Sequence, residues 1–128
     1  MKDILICVDD EPHILKALER MLRKETFEIR TTTDAKQALE WIKTLPVKAC
    51  ISDYRMEQMT GIEVLKNVKE INPEVGRIIL SGYSDQSLID RALKTGDVHD
   101  YVLKPFDMEK FKFFLRRFFI KPEKWEDV

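Results

Sequence analysis

The sequence is poor in cysteine and has no long apolar run, and each shortage excludes a class of protein. The two cysteines, Cys7 and Cys50, lie in apolar strand-like runs and lack the companions that metal-ligand spacing requires. We expect both to be reduced thiols in the core. No apolar run approaches the roughly 20 residues of a membrane span, and the first three residues do not begin a signal peptide.

Neither sign of charge is in excess. The 22 basic and 23 acidic residues leave a net charge of −1, so no overall field attracts the chain to nucleic acid or to an anionic membrane. Hydrophobic residues make up 44% and charged residues 35% of the 128 residues, which is typical of a globular domain. We therefore expect a cytoplasmic protein in which residues 1–120 form one domain and residues 121–128 a tail or the start of a linker.

Strand-like and helix-like patterns alternate five times along the chain. The alternating run Phe27–Thr31 suits an edge strand with one less buried face. Pro12 is favoured at the first position of a helix, and Thr60 and Ser84 can cap two others. The predicted strands are residues 4–8, 27–31, 47–53, 77–80 and 101–103, and the predicted helices begin near residues 12, 34, 60, 84 and 107.

This alternation predicts an α/β fold, a doubly wound five-stranded parallel sheet with helices on both faces. The edge-like second strand favours the flavodoxin-like order 2-1-3-4-5, in which the winding reverses between strands 1 and 3. Apolar spacing also predicts which helical residues face the sheet. In the fourth and last helices these are Leu88, Ile89, Ala92, Leu93, Phe111, Phe114, Leu115 and Phe118.

Polar side chains stand where the predicted strands end. Strand 1 ends in Asp9 and Asp10, strand 3 in Asp53, strand 4 in Ser81 and strand 5 in Lys104. Strands 1 and 3 are neighbours in the predicted order, so three carboxylates are expected to meet at the crevice where ligands bind. Because three close carboxylates repel one another unless a cation bridges them, the pattern predicts a site for Mg2+ (or Mn2+).

With a cation in place, Asp53 is a candidate nucleophile toward phosphorus, giving an aspartyl phosphate. The cation, Lys104 and Ser81 with nearby backbone N–H groups would hold the charged oxygens of the transferring group. Each feature has a simpler interpretation by itself: the acidic run 9–11 suits a helix cap, and the other positions suit a turn and a strand exit. Their joint placement at strand ends favours the site.

The segments VDDE (8–11), ISDYRM (51–56), Gly61, LSGYSD (80–85) and YVLKPF (101–106) resemble the receiver domain of two-component response regulators. The resemblance implies that a sensor histidine kinase or a phosphotransfer protein supplies the phosphoryl group to the aspartate of the second segment. It also implies that the domain is not an enzyme in the ordinary sense, since it catalyses only its own phosphorylation and dephosphorylation. The phosphorylated form would signal to an output or partner that the sequence does not identify.

The same resemblance assigns a cation site. Asp10 would bind Mg2+ directly and Asp9 mainly through water, while Asp53 and the backbone carbonyl of Arg55 would complete the ligands. Ser81 and Lys104 would contact the phosphoryl group.

The resemblance also implies a switch and a cis peptide bond. Tyr101 would be the aromatic residue that turns inward on activation, and the bond before Pro105 would be cis. Arg55 and Tyr83 each lie two residues beyond a site residue and should overhang the site. Neither is a general base at neutral pH, so we expect slow loss of the phosphoryl group.

The chain departs from the common family pattern at several positions. Glu57 stands where proline is usual, so the loop loses a rigid point; Thr60 stands where aspartate is usual, and Gly82 where alanine is. One extra residue precedes Tyr101, a form similar to receivers that precede HD-GYP (cyclic-di-GMP phosphodiesterase) or related output domains. None of these changes removes a residue that the chemistry needs.

The last helix also predicts a contact surface. Phe113 and Ile120 lie two turns apart on the side opposite the buried stripe, between lysine and arginine residues. An apolar line with a basic rim suits self-association or target binding through the last helix and the fifth strand, including a homodimer. The simpler interpretation is that both are isolated exposed side chains.

Two other functions compete with phosphoryl acceptance. A phosphorylation-independent binding module of the same fold would be natural if an acidic residue or the lysine were missing, and none is. An aspartate-nucleophile phosphohydrolase of the haloacid-dehalogenase type usually has its two acids two residues apart after strand 1 and a cap domain. Here the acids Asp9 and Asp10 are adjacent. The two histidines, His13 and His99, are expected to be polar surface residues.

Overall fold

Strands and helices alternate throughout the computed structural model, which describes residues 2–82 and 86–117. The strands are β1 (Ile4–Val8), β2 (Glu28–Thr32), β3 (Val47–Asp53), β4 (Gly76–Ser81) and β5 (Asp100–Leu103). The helices are α1 (Pro12–Leu22), α2 (Ala35–Thr44), α3 (Gly61–Ile71), α4 (Gln86–Thr95) and α5 (Met108–Arg116).

The five strands form one parallel sheet in the order β2-β1-β3-β4-β5, which confirms the predicted flavodoxin-like arrangement. The pairing aligns the carboxyl ends of neighbouring strands. Val8, the last residue of β1, pairs with Ser52 of β3, and Ser81 of β4 pairs with Leu103 of β5. Residues that follow the strands are therefore brought to one edge of the sheet.

Each face of the sheet carries its own hydrophobic core, because successive side chains of a strand point to opposite faces. Ile6, Cys50 and Ile79 belong to the core on one face, and Cys7 and Ile51 to that on the other. Both cysteines are free and buried, as expected, and burial raises the pKa of Cys50 to about 12. No helix within residues 2–82 and 86–117 is both long and apolar enough to cross a membrane.

Three of the helices have a side-chain cap at their amino-terminal end. The predicted cap Thr60 accepts a hydrogen bond from the backbone N–H of Glu63. Asp34 and Asp107 cap α2 and α5 in the same way, and Pro12 stands at the first position of α1. These side chains satisfy backbone donors that have no partner inside the helix. Ser84, predicted as the cap of α4, lies outside the described residues.

The predicted buried face of α4 is wrong at one position. Leu88 is 46% exposed, whereas Ile89 and Ala92 are buried. The helix covers the sheet with a narrower stripe than the sequence pattern predicted, so Leu88 lies beside the surface groove between α3 and α4. In α5, Phe111 and Leu115 are buried as predicted.

At the amino-terminal edge of the sheet, a buried arginine joins two loops. Arg77, the second residue of β4, donates from its guanidinium group to four carbonyl oxygens at 2.8–3.1 Å. His99 is exposed as expected, but its Nδ1 also accepts a hydrogen bond from the backbone N–H of Arg77 at 3.0 Å. The four carbonyls belong to the α3–β4 loop and the α4–β5 loop: Pro73, Val75, Gly96 and Asp97.

We expect Arg77→Ala to lower the free energy of unfolding by about 3 kcal/mol, because it leaves several loop carbonyls without a donor. Arg77→Lys should recover part of the loss, since an ammonium group reaches fewer of these carbonyls. Urea unfolding measures both changes. The exposed Lys94 of α4 provides the control: Lys94→Ala should change the free energy by less than about 0.5 kcal/mol. Equal stability of Arg77→Ala and Lys94→Ala would contradict the role of the arginine.

Candidate functional site

Four strands deliver polar side chains to the carboxyl edge of the sheet. Asp53 and Ser81 are the last residues of β3 and β4, while Asp9 and Lys104 directly follow β1 and β5. The Nζ atom of Lys104 lies 2.8 Å from Asp53 Oδ1 and 3.5 Å from Asp9 Oδ2. One ammonium group therefore contacts two carboxylates from neighbouring strands.

Both carboxylates are buried, with Asp9 1% and Asp53 7% exposed. Burial raises the pKa of Asp53, and the charge of Asp9 adds to this shift while the hydrogen bond from Lys104 opposes it. Burial by itself would lower the pKa of Lys104, but Asp53 and Asp9 together raise it above its ordinary value. Asp53 is thus a more basic carboxylate than usual, beside a lysine that holds its proton firmly.

One carboxylate oxygen of Asp9 has no hydrogen bond from any described residue. Its Oδ1 accepts a hydrogen bond from the backbone N–H of Glu11 at 2.9 Å. Its Oδ2 is buried and has no hydrogen-bond partner in the described part of the chain. A buried carboxylate oxygen in this state is costly. The arrangement therefore suits a ligand with positive charge or a donor group.

The third predicted carboxylate faces a different partner. Asp10 Oδ2 accepts a hydrogen bond from the backbone N–H of Glu57 in the β3–α3 loop at 2.9 Å. Within residues 2–82 and 86–117, no three carboxylate, histidine or cysteine side chains lie close enough together to hold a metal ion. The structure thus brings together two of the three predicted carboxylates. The three carboxylates would repel one another at close range, and Lys104 offsets the charge only of Asp9 and Asp53, which it contacts.

The remaining predicted residues lie around this edge. The Ser81 hydroxyl is buried and donates to the carbonyl of Gly82 at 2.8 Å, so it bonds within its own loop. Tyr101 is half-buried in β5, and Arg55 is exposed just beyond β3. The peptide bond before Pro105 is cis. Tyr83, Phe118 and Ile120 lie outside the described residues.

Gly61 lies where α3 approaches β3 closely, and the sequence reasoning did not predict this approach. It is the first residue of α3 and donates its N–H to the carbonyl of Tyr54 at 2.9 Å. A Cβ atom there would overlap the backbone carbonyl oxygen of Asp53 and lie 3.0 Å from Ile79 Cδ1. A glycine just after the helix cap was the available signal, but the strand that it approaches was not evident from the sequence.

Comparison with known families identifies the family to which the domain belongs. The family model of the response regulator receiver domain matches residues 5–116. The chain belongs to this family. It is therefore the receiver domain of a two-component response regulator, as the resemblance in its motifs predicted.

Curated receiver-containing proteins support the assignment. The hydrogenase transcriptional regulatory protein HoxA of Cupriavidus necator is 37% identical over 102 residues, which is 80% of this chain and 21% of HoxA. The transcriptional regulatory protein ZraR of Escherichia coli is 34% identical over 110 residues, or 86% of this chain and 24% of ZraR. This receiver thus spans about a fifth to a quarter of the length of these relatives.

A solved receiver structure also superposes closely. It is the signal receiver domain of an HD domain-containing protein from Pseudomonas fluorescens, with a TM-score of 0.83 and 29% sequence identity. The match covers 91% of this chain and 86% of that one.

We expect Gly61→Ala to lower the free energy of unfolding by about 1–3 kcal/mol, because the added methyl group overlaps rigid backbone. The same change should shift the backbone NMR signals of Asp53 and Tyr54. The control is Gly82→Ala, because a Cβ atom at residue 82 meets no atom of the described residues within 4 Å. That variant should stay within about 0.5 kcal/mol of the wild type. Equal stability of the two variants would show that α3 does not need a glycine at this position.

Proposed function

We propose that Asp53 accepts a phosphoryl group from a sensor histidine kinase or a phosphotransfer protein. The observation that carries this proposal is a buried, basic carboxylate at the carboxyl edge, 2.8 Å from the ammonium group of Lys104. In the transfer, an Asp53 oxygen forms a bond to phosphorus and the phosphorus–nitrogen bond of the donor phosphohistidine breaks. The imidazole leaves with the electron pair, and Asp53 becomes an aspartyl phosphate.

Lys104 is placed to balance charge before and after this transfer. Its ammonium group offsets the Asp53 carboxylate in the free protein and can contact a phosphoryl oxygen once Asp53 is modified. Its raised pKa keeps it charged in the free protein. The backbone N–H of Lys104 donates to the carbonyl of Ser81 at 2.9 Å, so the exits of β4 and β5 are joined. This joint supports a switch in which Ser81 and Tyr101 respond to phosphorylation.

The same edge has the donor atoms that a hard divalent cation requires. The carboxylates of Asp9, Asp10 and Asp53 and the backbone carbonyl of Arg55 would hold Mg2+ (or Mn2+), and all four donors are oxygen. The buried Asp9 Oδ2, which has no hydrogen bond within the described residues, supports this fit. Mg2+, when bound, would neutralise charge on the transferring phosphoryl oxygens.

We further propose that phosphorylation acts on an output that lies in another domain or partner. HoxA and ZraR are transcriptional regulators, and the Pseudomonas fluorescens receiver belongs to an HD domain-containing protein. An output of the HD-GYP type stays a prediction for this chain, as do the division at residue 120 and the slow loss of the phosphoryl group. Arg55 is exposed two residues beyond Asp53, and Tyr83 is not among the described residues.

Asp53→Asn should abolish labelling by radioactive acetyl phosphate in the presence of Mg2+, since an amide is not a nucleophile toward phosphorus. Asp90→Asn provides the matched control, because Asp90 is an exposed aspartate of α4. It should label as fast as the wild type. Undiminished labelling of folded Asp53→Asn would reject the assignment, and so would absence of label on the folded wild-type protein.

Phe113 supports the proposed contact surface. Its side chain is 46% exposed on α5, whose neighbouring positions Lys110 and Arg117 are also exposed. We expect phosphorylation, or an acyl-phosphate mimic bound at Asp53, to promote self-association through α5 and β5.

Phe113→Glu should then reduce association, measured by analytical ultracentrifugation, by at least about tenfold while labelling of Asp53 is unchanged. Met108→Glu is the control, because Met108 is 52% exposed on the same helix but lies on the side that borders α1. A wild-type protein that stays monomeric with and without the mimic would reject self-association.

A further inference from the structure

Glu57 makes a bond that the usual residue of the family could not make. Its backbone N–H donates to Asp10 Oδ2 at 2.9 Å. Proline, which is common at this position in receivers, has no N–H to donate. Glu57 in place of proline therefore has two effects. It removes a conformationally restricted residue from the β3–α3 loop, and it adds a hydrogen bond to a carboxylate of the proposed cation site.

The loop is also held independently of Asp10. The next residue, Gln58, accepts a hydrogen bond from the backbone N–H of Ala35 at 3.0 Å and donates to the carbonyl of Thr33 at 3.3 Å. These contacts fix the loop to the start of α2. The residue next to Glu57 is therefore anchored by contacts that do not involve Asp10.

We propose that the Glu57 N–H competes with the divalent cation for Asp10 and so lowers the cation affinity of this receiver. The inference rests on the proposed function of the carboxyl edge. Asp10 accepts a hydrogen bond from Glu57, whereas Asp9 and Asp53 both form ion pairs with Lys104. Within residues 2–82 and 86–117 no three carboxylate, histidine or cysteine side chains lie close enough together to hold a metal ion, so gathering the three carboxylates around a cation would draw Asp10 away from the Glu57 N–H and break its charge-assisted hydrogen bond. Cation binding therefore releases the amide of Glu57, and holding that amide weakens cation binding by the same factor.

Two substitutions at residue 57 separate the backbone donor from the side chain. Glu57→Pro removes the N–H, and Glu57→Ala keeps it while removing the same exposed carboxylate. Because a net hydrogen bond to a charged group is lost in only one of them, Glu57→Pro should bind Mg2+ at least about tenfold more tightly than Glu57→Ala. Isothermal titration with Mg2+ alone measures both affinities, and circular dichroism checks that both variants fold.

A second measurement uses the wild-type protein and does not depend on the proline variant. The Glu57 amide hydrogen should exchange slowly without Mg2+ and at least about tenfold faster when Mg2+ saturates the site, as expected for a released hydrogen bond. Asp10→Ala should expose the same amide without any cation.

The possible results are distinguishable. Equal Mg2+ affinities of folded Glu57→Pro and Glu57→Ala would overturn the competition, and so would a Glu57 amide that stays protected in saturating Mg2+. The latter result would instead make the N–H a support for bound Asp10. Wild-type protein and variants that all fail to bind Mg2+ would overturn the proposed cation site itself, together with the inference that rests on it.

Discussion

The contact of Lys104 with two buried aspartates is the interaction on which the site depends. Asp9 and Asp53 come from neighbouring strands and are almost completely buried, so their charges would repel strongly without a cation between them. In the strand order β4 lies between β3 and β5, and Lys104 directly follows β5. Its side chain therefore reaches both aspartates across the carboxyl end of β4. The topology thus makes a buried acidic pair tolerable, while burial keeps the pKa of Asp53 above its ordinary value.

Buried polar groups are hydrogen-bonded to different extents at the two edges of the sheet. At the amino-terminal edge, Arg77 donates to four loop carbonyls, and the described groups there are well satisfied. At the carboxyl edge, Asp9 has a buried oxygen to which no described residue donates a hydrogen bond. The energetic cost of this oxygen is expected where a protein binds a ligand or changes state. The buried oxygen of Asp9 thus lies at the edge where the phosphoryl acceptor is proposed.

The β3–α3 loop is where this receiver differs most clearly in physical terms from the common pattern. Gly61 allows α3 to approach the backbone of Asp53, while Gln58 fixes the loop to α2. Between these anchors, Glu57 supplies a backbone donor to Asp10. The loop thus connects the second aspartate of VDDE to the residue that is proposed to accept the phosphoryl group.

The amino-acid sequence by itself determined the element order, the parallel sheet and the edge at which the polar residues gather. These features follow from patterns that extend over only a few residues. Apolar runs that end in a polar residue mark the strands, as at Asp9, Asp53 and Lys104, and a cap such as Thr60 marks the start of a helix. The motifs could be matched to the receiver family for the same reason, because each motif is a short contiguous segment.

Only the tertiary structure decided which groups contact one another across that edge. The exposure of Leu88 depends on how α4 lies against α3, and the need for glycine at residue 61 depends on a strand that precedes it by eight residues. Asp10 binds a loop amide 47 residues away, although sequence reasoning placed it with the other two carboxylates. Side-chain rotation and long-range packing settle such contacts, because several partners of similar energy compete and their distances are set by the folded chain.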